Sequence, residues 1–391
     1  LLHDIGHGPF SHAIEPILQL VLEKYYPKEF EESRKLGFKS IHEYYSFKII
    51  MTNNEIRQLI EDFGLNPMDV AALLLKIYPS NEKLSIKEPA WRALRKIIDS
   101  QIDADRLDNL LRDSYGMGVP YGIVDVDNLV KNFVLMELEN DELELAIHIR
   151  ALGAVEDLID ARYKMYRWLY YHQRTNLLEA IIRELTLYLI EDKIVEPRIF
   201  HYSNYVKDDF NYLSDSFVLS QLREGYYSDK SRYYLLRGIF NQEFLPLGLW
   251  RNYEEFLAII REATNLNLYE TAKIIASSFK NTKIQLELQD YLEETLPNIE
   301  LITITREPTT PYDWEKGQEI LIYIPRGKIL GITTLSAYIG KLLEISQQYV
   351  HFYLYYYVRN MTRSQIFSYK EKLISEFVNY ISRKILQLNQ K

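Results

Sequence analysis

The chain has 391 residues, enough for a large core or two domains, and its 26% charged and 47% hydrophobic residues are ordinary for a soluble globular protein. A net charge of −9 argues against wholesale nucleic-acid binding, although a local basic pocket keeps nucleic acid from being excluded. The absence of Cys removes disulfides, thiolate metal sites and Cys nucleophiles and fits a cytoplasmic protein, and no apolar run reaches the roughly 18 residues of a membrane helix.

The first twelve residues are the most informative: Leu1-Leu2-His3-Asp4-Ile5-Gly6-His7-Gly8-Pro9-Phe10-Ser11-His12. Adjacent His3 and Asp4 offer an imidazole and a carboxylate, a donor set suited to a divalent transition metal or Mn²⁺. His7 and His12 can move protons near neutral pH. Gly6, Gly8 and Pro9 turn the chain sharply beside these groups. The sequence starts inside this motif, so further residues are expected upstream.

Residues 13–26 read as a helix entered at Pro16, with Ile14, Ile17, Leu18, Val21 and Leu22 at helical spacing. The charged stretch 27–39 reads as a loop. Ser40-Ile41-His42-Glu43 matches a capping box in which Glu43 reaches back to the helix start. Helices are predicted over 54–63 and 68–77, with Pro67 at the second entry, and over most of 91–111.

That last helix carries a second string, Ile102-Asp103-Ala104-Asp105-Arg106-Leu107-Asp108-Asn109-Leu110-Leu111-Arg112-Asp113-Ser114-Tyr115. Leu107, Leu110 and Leu111 make an apolar face. Asp105, Asp108, Asn109 and Arg112 make a polar one, with Arg106, Asn109 and Asp113 as an adjoining stripe. Such a face is commonly just solvated and salt-bridged. Three acids within Asp103 to Asp108 nevertheless repel one another unless a cation sits among them.

Gly116 and Gly118 end this helix. A hairpin is predicted over 133–149 around Asn140-Asp141. A long amphipathic helix over about 151–192 follows, carrying Arg162, Lys164, Arg167, Tyr170, Tyr171, His172 and Arg174, either an exposed basic face or a phosphate-gripping one. Residues 195–280 read as helices with loops near Asn204 and Gly225. Strand-like runs appear at 283–288, 299–305 and 319–324, and helices return over 334–346 and 364–388. The expected architecture is mainly α, with a helical core over 1–280 and a smaller C-terminal α/β lobe over 281–391.

The two strings together resemble the HD-domain phosphohydrolases, and more narrowly the deoxynucleoside triphosphate triphosphohydrolases of the sterile-alpha-motif/HD-domain type and their prokaryotic relatives. The resemblance is carried by His3–His12, His42-Glu43, Asp103–Tyr115 and Ala161-Arg162 through Tyr170-Tyr171-His172, with a weaker echo at Arg306-Glu307-Pro308 to Tyr312 followed by Ile320 to Ile324. It implies an HD helical core and a divalent metal (Mn, Mg, Fe, Co, Ni or Zn) on His3, Asp4 and Asp105, joined by a His upstream of Leu1. It implies His12 as the catalytic His beside the scissile phosphate, Glu15 as the acid that orients it, and His42 as a second active-site His. Arg106, in the place of a family Lys, would grip phosphate bidentately. Asn109 departs from the usual Tyr at a phosphate and sugar contact. Asp113 would read the sugar 3′-hydroxyl, Arg162 would bind phosphate and Tyr170 would pack on the sugar.

The reaction so implied is hydrolysis of a deoxynucleoside triphosphate to deoxynucleoside and triphosphate. A homo-oligomer, dimer or tetramer, with a nucleotide effector and no membrane, completes the expectation. Two other readings stay open: an HD phosphohydrolase acting on another nucleotide, such as a monophosphate or an alarmone, and a catalytically dead nucleotide-binding regulatory protein.

Overall fold

The computed structural model describes residues 2–80, 82–138, 142–205, 213–261, 263, 267–306 and 319–386. The chain is mainly α, as expected. In order it forms α1 (Glu15–Tyr25), α2 (Pro27–Lys35), α3 (Ile41–Thr52), α4 (Asn54–Asp62), α5 (Pro67–Ala72), α6 (Glu88–Ile98), α7 (Ala104–Met117) and α8 (Val126–Lys131). The hairpin β1 (Phe133–Glu137) and β2 (Leu143–His148) leads to α9 (Leu152–Met165), α10 (Gln173–Glu191), α11 (Asp215–Ser228), α12 (Leu236–Phe240) and β3 (Leu247–Gly248). Then come α13 (Tyr253–Arg261), α14 (Leu268–Ser278), α15 (Thr282–Glu293), β4 (Ile299–Arg306), β5 (Leu321–Ile324) and β6 (Lys328–Gly331). The chain ends with α16 (Ile332–Leu335), α17 (Ala337–Ser346), β7 (His351–Val358), α18 (Arg363–Phe367) and α19 (Lys370–Ile381). Among the described residues no helix is long and apolar enough to cross a membrane.

Packing gathers the chain into two units. The first comprises 1–158, 182–228 and 313–336; the second comprises 159–181, 229–312 and 337–391. This partition cuts across the boundary placed at 280 and 281 from the sequence. The reason is sheet pairing: β5 runs parallel to β2, with Ile147 opposite Ile322, so a late segment joins the early unit.

The first unit is built on α1 and α3. Ile17, Leu18, Val21 and Leu22 of α1 are at most 1% exposed, and the packed face of α3 includes Tyr44, Tyr45, Ile49 and Ile50. Its sheet has the order β1-β2-β5-β6, antiparallel except at β2–β5. The hairpin thus forms where predicted, but its turn at Asn140-Asp141 lies outside the described residues, as does the echo from Glu307 to Tyr312.

The second unit packs its helices on the sheet β3-β7-β4, antiparallel throughout. Trp250 anchors its core. The indole N–H donates to the carbonyl of Phe352 at 2.6 Å, and its ring lies 4.7 Å from Phe256 and 5.3 Å from Phe377.

Several local expectations are corrected. Residues 27–35 are helical, not a loop: Pro27 opens α2, Glu29 sits in its first turn and Arg34 and Lys35 in its last, each where the helix dipole favours it. Residues 283–288 belong to α15, because Asn281 caps it by accepting from Lys283 N at 2.9 Å and the buried pair Leu288 and Leu292 follows helical spacing. The helix from 91 breaks at 99–103, and α5 stops at Ala72. Gly225 lies within α11 instead of a loop. The helix expected over 151–192 is interrupted by a π turn at Tyr166–Tyr170.

Candidate active site

The site lies in the first unit and begins with a contact only glycine permits. A Cβ on Gly6 would lie 2.2 Å from the carbonyl oxygen of His42 and 2.4 Å from the nitrogen of Ser46. Without one, the loop lies directly on the α3 backbone, and Gly6 N donates to Ser46 Oγ at 2.9 Å. This seating places the His7 ring on the His42 ring, stacked at 3.8 Å between centroids.

Asp105 arrives from α7. Asp103 caps that helix by accepting from Arg106 N at 2.8 Å, and Gly118 closes it in a left-handed conformation. The first turn of α7 therefore faces the loop. His3 Nε2 lies 3.1 Å from Asp105 Oδ1 and 3.2 Å from Asp4 Oδ2. The one-letter spacing of His3-Asp4 and the distant Asp105 thus converge on a single point.

These three residues fit a divalent cation. His3 Nε2 is buried and satisfies no hydrogen bond despite its two close carboxylates. Donor atoms about 3.0–3.5 Å apart are what ligands at about 2.0–2.2 Å from one ion require. The carboxylate of Asp105, then that of Asp4, would hold a proton on His3 up to a pKa of about 10, so the cluster demands positive charge. Burial would raise Asp4, but His3 wins and holds it below the ordinary value; Asp105 is lowered mainly by His3. Asn109, one turn after Asp105, donates its amide N–H to Asp105 Oδ1 at 2.8 Å and fixes that carboxylate. The sugar contact considered at this position is therefore not what its amide makes here.

A second cluster adjoins the first. The ring nitrogens of His7, His12 and His42 lie within 4.8 Å of one another, a spacing that suits proton transfer or a further ion. His7 Nε2 is 3.6 Å from Asp4 Oδ1, which links the two clusters. Burial, then His42 and His12, push the His7 pKa down to about 4, so this ring is neutral at pH 7. His7 was noted in the sequence as a proton carrier but not ranked with His12 and His42; only the stacking distinguishes it.

Glu15 does not steer His12. Its Oε2 takes the Nδ1 of His42 at 3.0 Å, while its Oε1 accepts the backbone N–H of Ile41 and, at 3.2 Å, that of His42. It thus caps α3, whose Ser40 makes no side-chain cap. The expected capping box is absent because Glu43 turns instead to Lys76 at 3.1 Å. Burial would raise the Glu15 pKa, but the His42 ring and the two backbone N–H groups outweigh it and hold the acid below its ordinary value.

The remaining candidates divide. Arg106 pairs its guanidinium with Asp103, whose pKa is raised by burial against the pull of that cation. Asp113 continues the stripe of Asp105 and Asn109 at the next turn of α7, half-buried. Asp108 and Arg112 pair with each other on the solvated face. Arg162 and Tyr170 belong to the second unit, where both face Tyr166: the guanidinium carbon is 5.6 Å and the Tyr170 ring 5.0 Å from its centroid.

No family model matches the chain. It is 29% identical over 281 residues to the uncharacterized protein YwfO of Bacillus subtilis, covering 67% of this chain and 56% of that protein. It is 24% identical over 202 residues to the human deoxynucleoside triphosphate triphosphohydrolase SAMHD1, covering 48% of this chain and 30% of that one. The chain spans about half the length, or less, of these curated relatives. A solved phosphohydrolase from Bacteroides thetaiotaomicron shares the fold with a TM-score of 0.53 at 20% identity, over 91% of this chain and 76% of that one. Together with the cluster of His3, Asp4 and Asp105, these matches support the HD-domain phosphohydrolase superfamily as the family the chain resembles.

Proposed function

We propose that the chain is a metal-dependent HD phosphohydrolase that cleaves deoxynucleoside triphosphates to deoxynucleoside and intact triphosphate. The observation that carries the reading is the adjacency of a carboxylate-rich cation site and a histidine cluster, joined through Asp4. His3, Asp4 and Asp105 would hold a divalent cation, which would supply Lewis-acid charge compensation to a phosphate.

The protein's own groups do the rest. Bond breaking at the α-phosphorus leaves a 5′-alkoxide too basic to depart unaided, so a proton must reach it. His12 and His42 are the groups for that task. The Glu15 carboxylate keeps the His42 proton on Nδ1 and fixes the ring plane, while Nε2, 3.5 Å from the Ser40 hydroxyl, is the nitrogen for exchange. By the family resemblance, Arg106 and Arg162 are assigned the outer phosphates, Asp113 the 3′-hydroxyl and Tyr170 the sugar face. The same reading assigns a cytoplasmic homo-oligomer with a nucleotide effector.

A second reading keeps the chemistry and changes the substrate to another nucleotide. It is favoured by one observation: the Asn109 amide is engaged by Asp105 and not free for a sugar.

The test is hydrolysis of each dNTP with Mn²⁺ in ¹⁸O-labelled water. Label in triphosphate and none in the nucleoside supports attack at the α-phosphorus. Orthophosphate or pyrophosphate as the primary product rules it out. Turnover of a monophosphate or alarmone without dNTP turnover selects the second reading.

A further inference from the structure

The turn that presents His12 is held in a conformation its own sequence disfavours. Phe10 and Ser11 both adopt left-handed backbone angles, φ 54° and 49°, although neither is glycine. Two such residues in succession persist only where surrounding structure enforces them. The enforcing contacts come from far along the chain and from charged side chains. Asp215, the first residue of α11, accepts the N–H of Phe10 at 2.8 Å. Arg183, on α10, donates from Nε to the carbonyl of Ala13 at 2.9 Å. All these residues lie in the first unit. The two contacts thus fall on either side of His12, the central residue of the short 3-10 turn Ser11–Ala13.

We propose that Asp215 and Arg183 are positioning residues that clamp this turn, holding the His12 ring against His7 and His42 for proton transfer. The inference rests on the phosphohydrolase reading for its catalytic consequence, but not for its structural one. His12 itself is exposed, and its ring meets His7 edge-on at 4.9 Å and His42 at 5.4 Å, so the path of its backbone decides where the ring stands against the other two. An anionic acceptor on one side and a cationic donor on the other make the strongest class of neutral-backbone hydrogen bond, and they grip the main chain without touching the ring. Released from Asp215, Phe10 relaxes toward negative φ and swings the turn.

The experiment compares the intact chain with Asp215→Ala, Asp215→Asn, Arg183→Ala and Phe10→Gly, and the double variant Phe10→Gly with Asp215→Ala. Three readouts are taken: hydrogen exchange of the peptide spanning residues 8–14, bound Mn²⁺, and kcat and KM for dNTP hydrolysis. Asp215→Ala and Arg183→Ala are expected to speed exchange in this peptide at least tenfold. Both should lower kcat about ten- to hundredfold with KM and bound Mn²⁺ unchanged, as a misplaced proton donor requires. Asp215→Asn keeps an acceptor oxygen and should restore most of kcat. Because glycine adopts left-handed angles without strain, the Asp215→Ala loss should shrink severalfold in the Phe10→Gly background. A merely structural role predicts no such rescue. Unchanged exchange in Asp215→Ala overturns the clamp, and faster exchange with unchanged kcat overturns its role in proton transfer. Because exchange needs no substrate, failure of the clamp is distinguished from failure of the dNTP reading.

Discussion

Replacing Glu15 separates the structural and chemical duties of one carboxylate. It accepts three N–H groups: those of Ile41, His42 and the His42 imidazole, and its side chain is only 20% exposed. Glu15→Ala removes the cap of α3 and leaves buried donors unpaired. A lost cap costs about 0.5–2 kcal/mol and a lost hydrogen bond to a charged group about 1.5–3 kcal/mol; because these overlap, about 3 kcal/mol of stability is expected to go. Glu15→Gln retains an oxygen for the backbone N–H groups, so it should cost only about 1 kcal/mol. Its amide N–H, however, now faces His42 Nδ1 and drives the imidazole proton to the other nitrogen. A proton-transfer group in the wrong tautomer forfeits about 10²–10⁴ in rate. Urea unfolding and kcat are therefore expected to diverge: small stability loss, large activity loss. The pH dependence follows with its sign. The folded-state pKa of Glu15 lies below its ordinary value of 4.5, so its stabilisation is fully present above that value and is lost as pH falls through the folded one. Glu15→Gln should flatten this acid limb. A Glu15→Gln enzyme within threefold of full activity would refute the assignment of His42.

Asp105→Ala should abolish Mn²⁺ retention through gel filtration, measured by elemental analysis, and Asn109→Ala should weaken it about 10–100-fold because it frees the Asp105 carboxylate; unchanged metal content in both removes the cation site. Gly6→Ala places a Cβ against backbone atoms of α3 that cannot yield, so a loss of about 1–3 kcal/mol or failure to fold is expected; a melting temperature equal to that of the parent contradicts the seating of the loop. Deoxyribose should be preferred over ribose, since Tyr170 is assigned the space of a 2′-hydroxyl and Asp113 the 3′-hydroxyl; equal kcat/KM for dATP and ATP excludes this.

Helices with both ends marked were legible. α1 carried Pro16 at its start, and α7 carried an Asp cap and a Gly stop. The charged α2 was not, because a helix without an apolar stripe reads as loop; it is held instead by polar contacts, with Tyr44 donating to Glu32 at 2.8 Å and Lys48 pairing with the same acid at 3.1 Å. β7 gave no signal of alternation. His351-Phe352-Tyr353-Leu354-Tyr355-Tyr356-Tyr357-Val358 is buried at every position between β3 and β4, so it has no polar face. Its tyrosines satisfy their hydroxyls by reaching other backbone, as Tyr353 does to the Tyr171 carbonyl at 2.8 Å and Tyr355 to that of Gln173 at 2.6 Å.

In the site, the spacing of the motif was legible from the sequence and the side-chain pairings were not. His3, Asp4 and Asp105 converge because each sits at the edge of a turn or cap that motif spacing makes visible. Glu15 misled because three-residue spacing suggested His12, whereas the tertiary packing of α1 on α3 delivers His42. Asp215 and Arg183 carried no local signal, lying far from the loop they touch.

The two clusters differ in charge for a reason that bears on any substrate. On one side, Asp4 and Asp105 crowd His3 and call for a cation. On the other, burial first and then the neighbouring His42 and His12 press the His7 pKa down. Asp4 is shared, with Oδ2 toward His3 and Oδ1 toward His7. A phosphate placed between them would meet positive charge on the first side. On the second it would meet the His7 ring, which is neutral until the phosphate's own negative charge raises its proton affinity. Arrival of a polyphosphate would then favour a proton on His7, beside the rings from which a leaving oxygen needs one, which ties the choice of substrate to the readiness of the acid.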